Sequence, residues 1–187
     1  MKKLIFILAI FFCLSSFSAD SFTYFGASYS SQYVISNNKV WNQLKSTIPS
    51  FTLGKRLHPL YATEFKYSSF TYNEGPSTTE PDIINSEFEV TRLALGIRVF
   101  MKNISFSLGY EYIDLSRKTT LADGSSIDPE FYAYDKTIHG VYATFGYQVF
   151  ILNSIDLYSE IEAASNENYH SVSATVGFRF YPGGIFH

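Results

Sequence analysis

Residues 141–149 read Val-Tyr-Ala-Thr-Phe-Gly-Tyr-Gln-Val, and their order decides the fold. Val141, Ala143, Phe145, Tyr147 and Val149 form one apolar set, with Tyr142, Thr144, Gly146 and Gln148 between them. A period of two places these sets on opposite faces of an extended strand, because successive side chains in a strand point to opposite sides. The same rule repeats outward along the chain. Thr23, Phe25, Ala27 and Tyr29 oppose Tyr24, Gly26 and Ser28; Phe51 and Leu53 oppose Thr52, Gly54 and Arg56. Tyr61, Thr63, Phe65 and Tyr67 oppose Ala62, Glu64, Lys66 and Ser68; Leu93, Leu95, Ile97 and Val99 oppose Arg92, Ala94, Gly96 and Arg98. Phe106, Leu108, Tyr110 and Tyr112 oppose Ser105, Ser107, Gly109 and Glu111. Ile155, Leu157, Ser159 and Ile161 oppose Asp156, Tyr158, Glu160 and Glu162, and Val172, Ala174, Val176, Phe178 and Phe180 oppose Ser173, Thr175, Gly177 and Arg179. One such stretch is common in soluble sandwiches; a succession of eight predicts an all-β, eight-stranded antiparallel up-and-down barrel.

Composition agrees. Aromatic residues make up 18% of the chain, as 18 Phe, 15 Tyr and 1 Trp, and such residues favour strands. The first nineteen residues stand apart: Lys2 and Lys3 are basic, Leu4 to Leu14 is unbroken apolar, and Ser15 to Ala19 is rich in small residues. This pattern reads as a signal peptide cleaved after Ala19, leaving residues 20–187 as one barrel domain. The only cysteine, Cys13, falls in that leader, so the mature chain is expected to lack disulfides, thiol catalysis and thiolate metal sites. A formal charge of −3, more negative still without Lys2 and Lys3, disfavours nucleic acid as a partner.

The connections alternate in length. Leu57 to Leu60, Lys102-Asn103 and Leu152 to Ser154 are short, whereas Ser30–Ser50, Asn73–Ser86, Ser116–Lys136 and Ala164–His170 are long and polar. Tight turns at one end and long loops at the other describe a barrel crossing the outer membrane of a Gram-negative bacterium, turns in the periplasm and loops outside. The faces then follow from charge. The polar set carries Arg56, Lys66, Arg92, Arg98 and Arg179 against Glu64, Glu111, Asp156, Glu160 and Glu162, five of each sign, interleaved with glycines. Opposite charges beside small residues suit a crowded lumen, and a Lys or Arg at the middle of a lipid face would cost about 2–4 kcal/mol. The expectation is a lumen closed by paired charges and an apolar lipid face, with Tyr29, Tyr61, Tyr67, Tyr112, Tyr147 and Phe180 as interfacial girdles.

The leader, the eight stretches, the opening Tyr24-Phe25-Gly26-Ala27, Gly54-Lys55-Arg56 before a tight turn and the closing Gly177-Phe178-Arg179-Phe180 together resemble the OmpA-like, opacity-type outer-membrane barrels. The resemblance spans the mature chain. It implies assembly by the barrel-assembly machinery through an aromatic last strand, with Phe178 and Phe180 as the signal. Beside it, the expected state is a monomer, in contact with outer-membrane lipid and lipopolysaccharide. Thr175 stands where that signal usually has Gly, and Tyr181 to His187 extend past the usual end.

Function is less legible than fold. Balanced charges in a narrow lumen favour a plug over a pore. In the first long loop Val40, Trp41, Leu44 and Ile48 share one helical face, predicting a short amphipathic helix over Asn38–Ile48 against the rim or the headgroups. The acidic residues Asp123, Asp128, Glu130 and Asp135 lack metal-loop spacing and read as a solvated loop, so neither a metal nor a cofactor is expected. The expected role is structural or adhesive, through the external loops, and no catalytic residue is assigned. The runner-up is a lipid A modifying enzyme, of deacylase or acyltransferase type, built on His139 or His170 with Ser171, Ser173 and Glu167 nearby. In lipid A deacylases, which such barrels also include, the serine lies two residues after the histidine; here those positions are Val141 and Val172. A third reading is a soluble periplasmic barrel holding an apolar ligand.

Overall fold

The computed structural model describes residues 22–35, 47–74, 83–121 and 136–182. They form eight strands: β1 Phe22–Ile35, β2 Thr47–His58, β3 Tyr61–Glu74, β4 Ile83–Met101, β5 Ile104–Leu121, β6 Lys136–Leu152, β7 Ile155–Asn166 and β8 His170–Phe180. Each pairs antiparallel with its sequence neighbours, and β1 pairs with β8 to close the barrel. The leader, residues Val40, Trp41 and Leu44 of the expected helix, and the acidic residues 123–135 lie outside the described residues.

Three two-residue turns, at Pro59-Leu60, Lys102-Asn103 and Asn153-Ser154, close the hairpins at one end. Lys102 takes a positive φ of 56°, the left-handed geometry that matches hairpin twist, and its carbonyl accepts from Gln148 Nε2 at 3.0 Å.

The exposure pattern resolves the faces. Leu108 is 68% exposed, Val176 64% and Tyr29 62%, whereas Glu64 and Asp156 are 0% and Arg98 and Arg179 1% exposed. Apolar side chains point out and charged ones in, the inverse of a soluble barrel, so the reading with an apolar ligand in the lumen does not hold. Such an outside is compatible with hydrocarbon and not with water.

Three sequence expectations need correction. Ile48 is not in a helix: it lies in β2, buried and facing the lumen, paired with Ser30. The fourth connection, read as Ala164–His170, shrinks to residues 167–169, because β7 and β8 stay paired up to Ser165 and His170. Asn166 Oδ1 accepts from the amides of Asn168 and Tyr169 at 2.9 and 3.0 Å and turns the chain there. Likewise β4 begins at Ile83 and β5 runs to Leu121, inside segments read as loops.

The last two corrections share one cause. Towards the loop end the polarity inverts. On β4, Phe88 and Val90 point inward and Glu89 outward, whereas one step on Arg92 is inward and Leu95 and Ile97 outward. On β5, Ile113 and Leu115 are inward above Glu111, with Asp114 outside; on β6, Ile138 is inward with Thr137 outside. A reading that follows apolar-out alternation stops at this flip, but the backbone ladder does not. Above it, Val34, Phe88, Val90, Ile113, Leu115, Ile138 and Tyr169 form an apolar core inside the barrel, as in a soluble protein.

Candidate functional site

The lumen below that core is the site the sequence singled out. Register places its charges: Asp156 faces Arg179 across β7 and β8, Glu64 faces Gly54 and Gly96, Glu160 faces Gly146, and Glu111 faces Gly140. A Cβ at position 146 would stand 2.8 Å from Glu160 Cγ, and one at 140 would stand 2.8 Å from Glu111 Oε1. The glycines leave the space into which these acids extend.

Nine of the ten sequence-assigned charges meet in one chain of ion pairs. From the turn end, Arg179 bridges Asp156 at 3.3 Å and Glu160 at 2.7 Å, and Arg98 bridges Glu160 at 2.6 Å and Glu64 at 2.7 Å. Lys66 links Glu160 at 3.6 Å to Glu162 at 3.3 Å, and Arg92 links Glu162 to Glu111, both at 2.7 Å. Arg56 does not join them: its guanidinium donates to the Pro59 carbonyl at 2.5 and 3.1 Å and lies 4.4 Å over the Phe100 ring.

Neutral groups complete the chain. Arg98 also donates to Ser105 Oγ at 2.8 Å and Arg179 to Gln148 Oε1 at 3.1 Å, with the Arg179 guanidinium 3.9 Å over the Tyr158 ring. The Tyr24 hydroxyl donates to Glu64, and the Tyr181 hydroxyl to Asp156 at 2.9 Å. Tyr24, Ala62, Phe100 and Tyr181 form the floor at the turn end. Tyr181 is the residue sequence reasoning missed. It follows β8, where the chain was read as surplus, yet it folds back into the lumen, 1% exposed, with its amide on the Ser154 carbonyl at 2.8 Å. Its own sequence signal is nil beyond a Tyr placed one step past an aromatic strand end.

The lumen is thus stacked in three layers: an aromatic floor, a charge network and an apolar plug. Buried charges bonded to partners on several strands hold side chains in fixed positions across the lumen. A cavity of about 30 Å³ lies between network and plug.

The two histidines of the enzymatic reading sit outside, on the apolar face. His139 Nδ1 meets the Tyr110 hydroxyl, with the Tyr112 ring edge-on at 5.6 Å. His170 Nδ1 lies 2.9 Å from Ser165 Oγ, while Ser171 and Ser173 point into the lumen. Phe178 and Phe180 are outward on β8, 48% and 43% exposed.

No protein-family model matches the chain, and no curated protein matches it in sequence. Solved structures do match. The attachment invasion locus protein Ail of Yersinia pestis, solved with the heparin analogue sucrose octasulfate, aligns at a TM-score of 0.61 and 9% identity over 86% of this chain and 98% of that one. Neisserial surface protein A aligns at 0.56 and 14% identity over 86% and 96%. The fold is that of an outer-membrane β-barrel. At these identities the likeness concerns the backbone and carries over no residue role. Both neighbours are small barrels covered almost end to end, so the outer-membrane barrel fold accounts for all the described strands.

Proposed function

We propose that the protein is a monomeric outer-membrane barrel of a Gram-negative bacterium that acts through its external end, in surface contact or in maintaining the membrane, and not as a channel or an enzyme. The observation that carries this is the filled lumen. Three stacked layers leave the outer surface as the part of the molecule able to meet a partner. Barrel walls extend past the polarity inversion with polar side chains such as Glu89, Thr71 and Asp114 outward, which sets this end of the barrel apart from the lipid face. Similarity to a protein named for attachment and invasion is consistent with this role. Lipopolysaccharide would surround the girdle, and Phe178 and Phe180 would serve assembly, as in OmpA-like, opacity-type barrels.

The test is expression in a barrel-deficient host of the intact chain and of a chain whose segments 36–46, 75–82 and 122–135 are replaced by short Gly/Ser linkers. The proposal expects adhesion to host-type surfaces, or resistance of the membrane to detergent, to follow the loops while folding does not. Equal phenotypes for both chains would refute it.

The enzymatic alternative has one observation in its favour, the Ser165 and His170 pair on the outward face. Both residues lie in strands paired on both sides, Ser165 with Val141 and His170 with Ile35, so the ladder engages the backbone around them, and we favour the non-catalytic reading.

A further inference from the structure

The outward face of the barrel is not evenly filled. Where β6, β7, β8, β1 and β2 run side by side, a groove of about 530 Å³ lies open on the apolar face. Register shows how it forms, because its outward lining falls in two adjacent cross-strand rows. One row passes from Val149 on β6 to Phe51 on β2 by way of Ala27, and the next from Tyr147 to Pro49 by way of Ser159. Ala27 stands between Phe178 and Phe51, and Ser159 beside Tyr147, so the surface sinks between large side chains at two small ones. Five strands about 4.8 Å apart give the rows a length of about 19 Å, against about 15 Å for the hydrocarbon of one leaflet, half of a bilayer core of about 30 Å. Strands of a barrel are tilted, so rows that cross them climb the lipid face aslant.

The groove begins at the turn end. Val149 and Leu157, which pair across β6 and β7, flank the Asn153-Ser154 turn, and Tyr147 is tied to the neighbouring one. Asn103 Nδ2 donates to the Tyr147 hydroxyl at 3.4 Å, and the Gln148 amide donates to the Asn103 carbonyl at 2.7 Å. That turn carries Lys102, which is exposed and is the one charged residue among the six that make the three turns. A cation at the mouth of an apolar groove is complementary to a lipid whose headgroup is anionic. A second copy of the chain fits less well, because a two-fold contact sets groove against groove and leaves both unfilled. Water does not suit so apolar a lining either.

We propose that the groove binds one acyl chain of a glycerophospholipid from the leaflet beside the turns, the periplasmic one in the orientation expected from the connections, with the lipid phosphate at Lys102. This rests on the reading of the outward face as the lipid face. Bound there, the chain lies across the β8–β1 seam that closes the barrel.

The test uses the full chain folded in detergent micelles and titrated with dipalmitoyl phosphatidylglycerol, the lipids on each barrel being counted by native mass spectrometry. The proposal expects one lipid to bind well before a second. Ala27→Phe fills the groove with a side chain that a lipid face accepts, and should lower the affinity for that first lipid on the order of tenfold. Ala143→Phe, the same enlargement on the outward face of β6 away from the groove, should leave it unchanged. Ser159→Phe, from the other row, should act as Ala27→Phe does, and decides the matter if Ala27→Phe gives no folded band. Lys102→Asn removes the charge with a residue that accepts the positive φ of 56°, and should weaken the first lipid severalfold. A random spread of lipid numbers, the same in wild type and the groove variants, would overturn the proposal by making the groove ordinary lipid-facing surface. A wild-type dimer abolished by Ala27→Phe would also overturn it, by giving the groove to a second copy. Unchanged affinity in Lys102→Asn would overturn the placing of the headgroup. Failure of the wild-type chain to give the compact, fast-migrating gel band in micelles would refute the membrane barrel itself, on which the site depends.

Discussion

Replacing Arg98 by methionine removes the cation that joins Glu64 to Glu160. Arg98 lies 2.7 Å from Glu64 and 2.6 Å from Glu160, and both acids are buried. Two contacts of this length at an effective dielectric near 20 are each worth about 4 kcal/mol or more, and several kcal/mol of guanidinium desolvation is recovered when the arginine goes. What remains is Glu64, 0% exposed, with the Tyr24 hydroxyl, and with Lys66 and Arg179 acting on it only from beyond ion-pair distance. Stripping one partner from such a pair costs about 3–5 kcal/mol. The double variant Arg98→Met/Glu64→Leu removes both charges and should recover most of that loss, because a buried pair replaced by apolar side chains of similar volume is close to neutral. The assay is urea unfolding of the barrel in lipid vesicles, read as loss of the fast-migrating band, with the change in midpoint converted through the slope. A double variant as unstable as the sum of the two singles would refute the reasoning, since it would mean that the two residues do not interact.

Leu108→Lys places a charge on the apolar outward face of β5, at a residue 68% exposed, and should cost about 2–4 kcal/mol in vesicles, whereas Thr71→Lys, on the outward face above the polarity inversion, should change stability by less than about 0.5 kcal/mol. Equal costs would place the lipid boundary elsewhere. Gly109→Ala would put a Cβ 2.6 Å from Tyr142 Cε1 and 2.7 Å from the Gly96 Cα, neither able to yield easily, so about 1–3 kcal/mol of destabilisation is expected by the same urea assay. Phe180→Ala should lower the amount of barrel inserted in cells while leaving refolding of purified protein into detergent unchanged; a loss in both would make Phe180 a packing residue only. Ser165→Ala and His170→Ala should leave the acyl pattern of lipid A, read by mass spectrometry, the same as with the wild-type chain.

The alternation of residues 141–149 and its seven repeats determined strand number, antiparallel order and which set of side chains faces the lumen, because a period of two leaves each strand only two choices of face and the charges settle which is inside. Identities of the lumen charges were legible for the same reason. Their partners were not: Glu160 meets Arg98 and Arg179 through barrel closure, a distance in space that spacing along the chain does not encode. Arg56 looked like a fifth lumen cation by register, and only the turn carbonyl of Pro59 took it out of the network. Strand ends beyond the lipid were hidden because the environment outside changes from hydrocarbon to water, which reverses the polarity rule at Phe88 to Arg92 while the ladder runs on. Tyr181 belongs to the same class: a residue past the final strand acquires its place only when β8 meets β1 and the floor of the lumen exists to receive it.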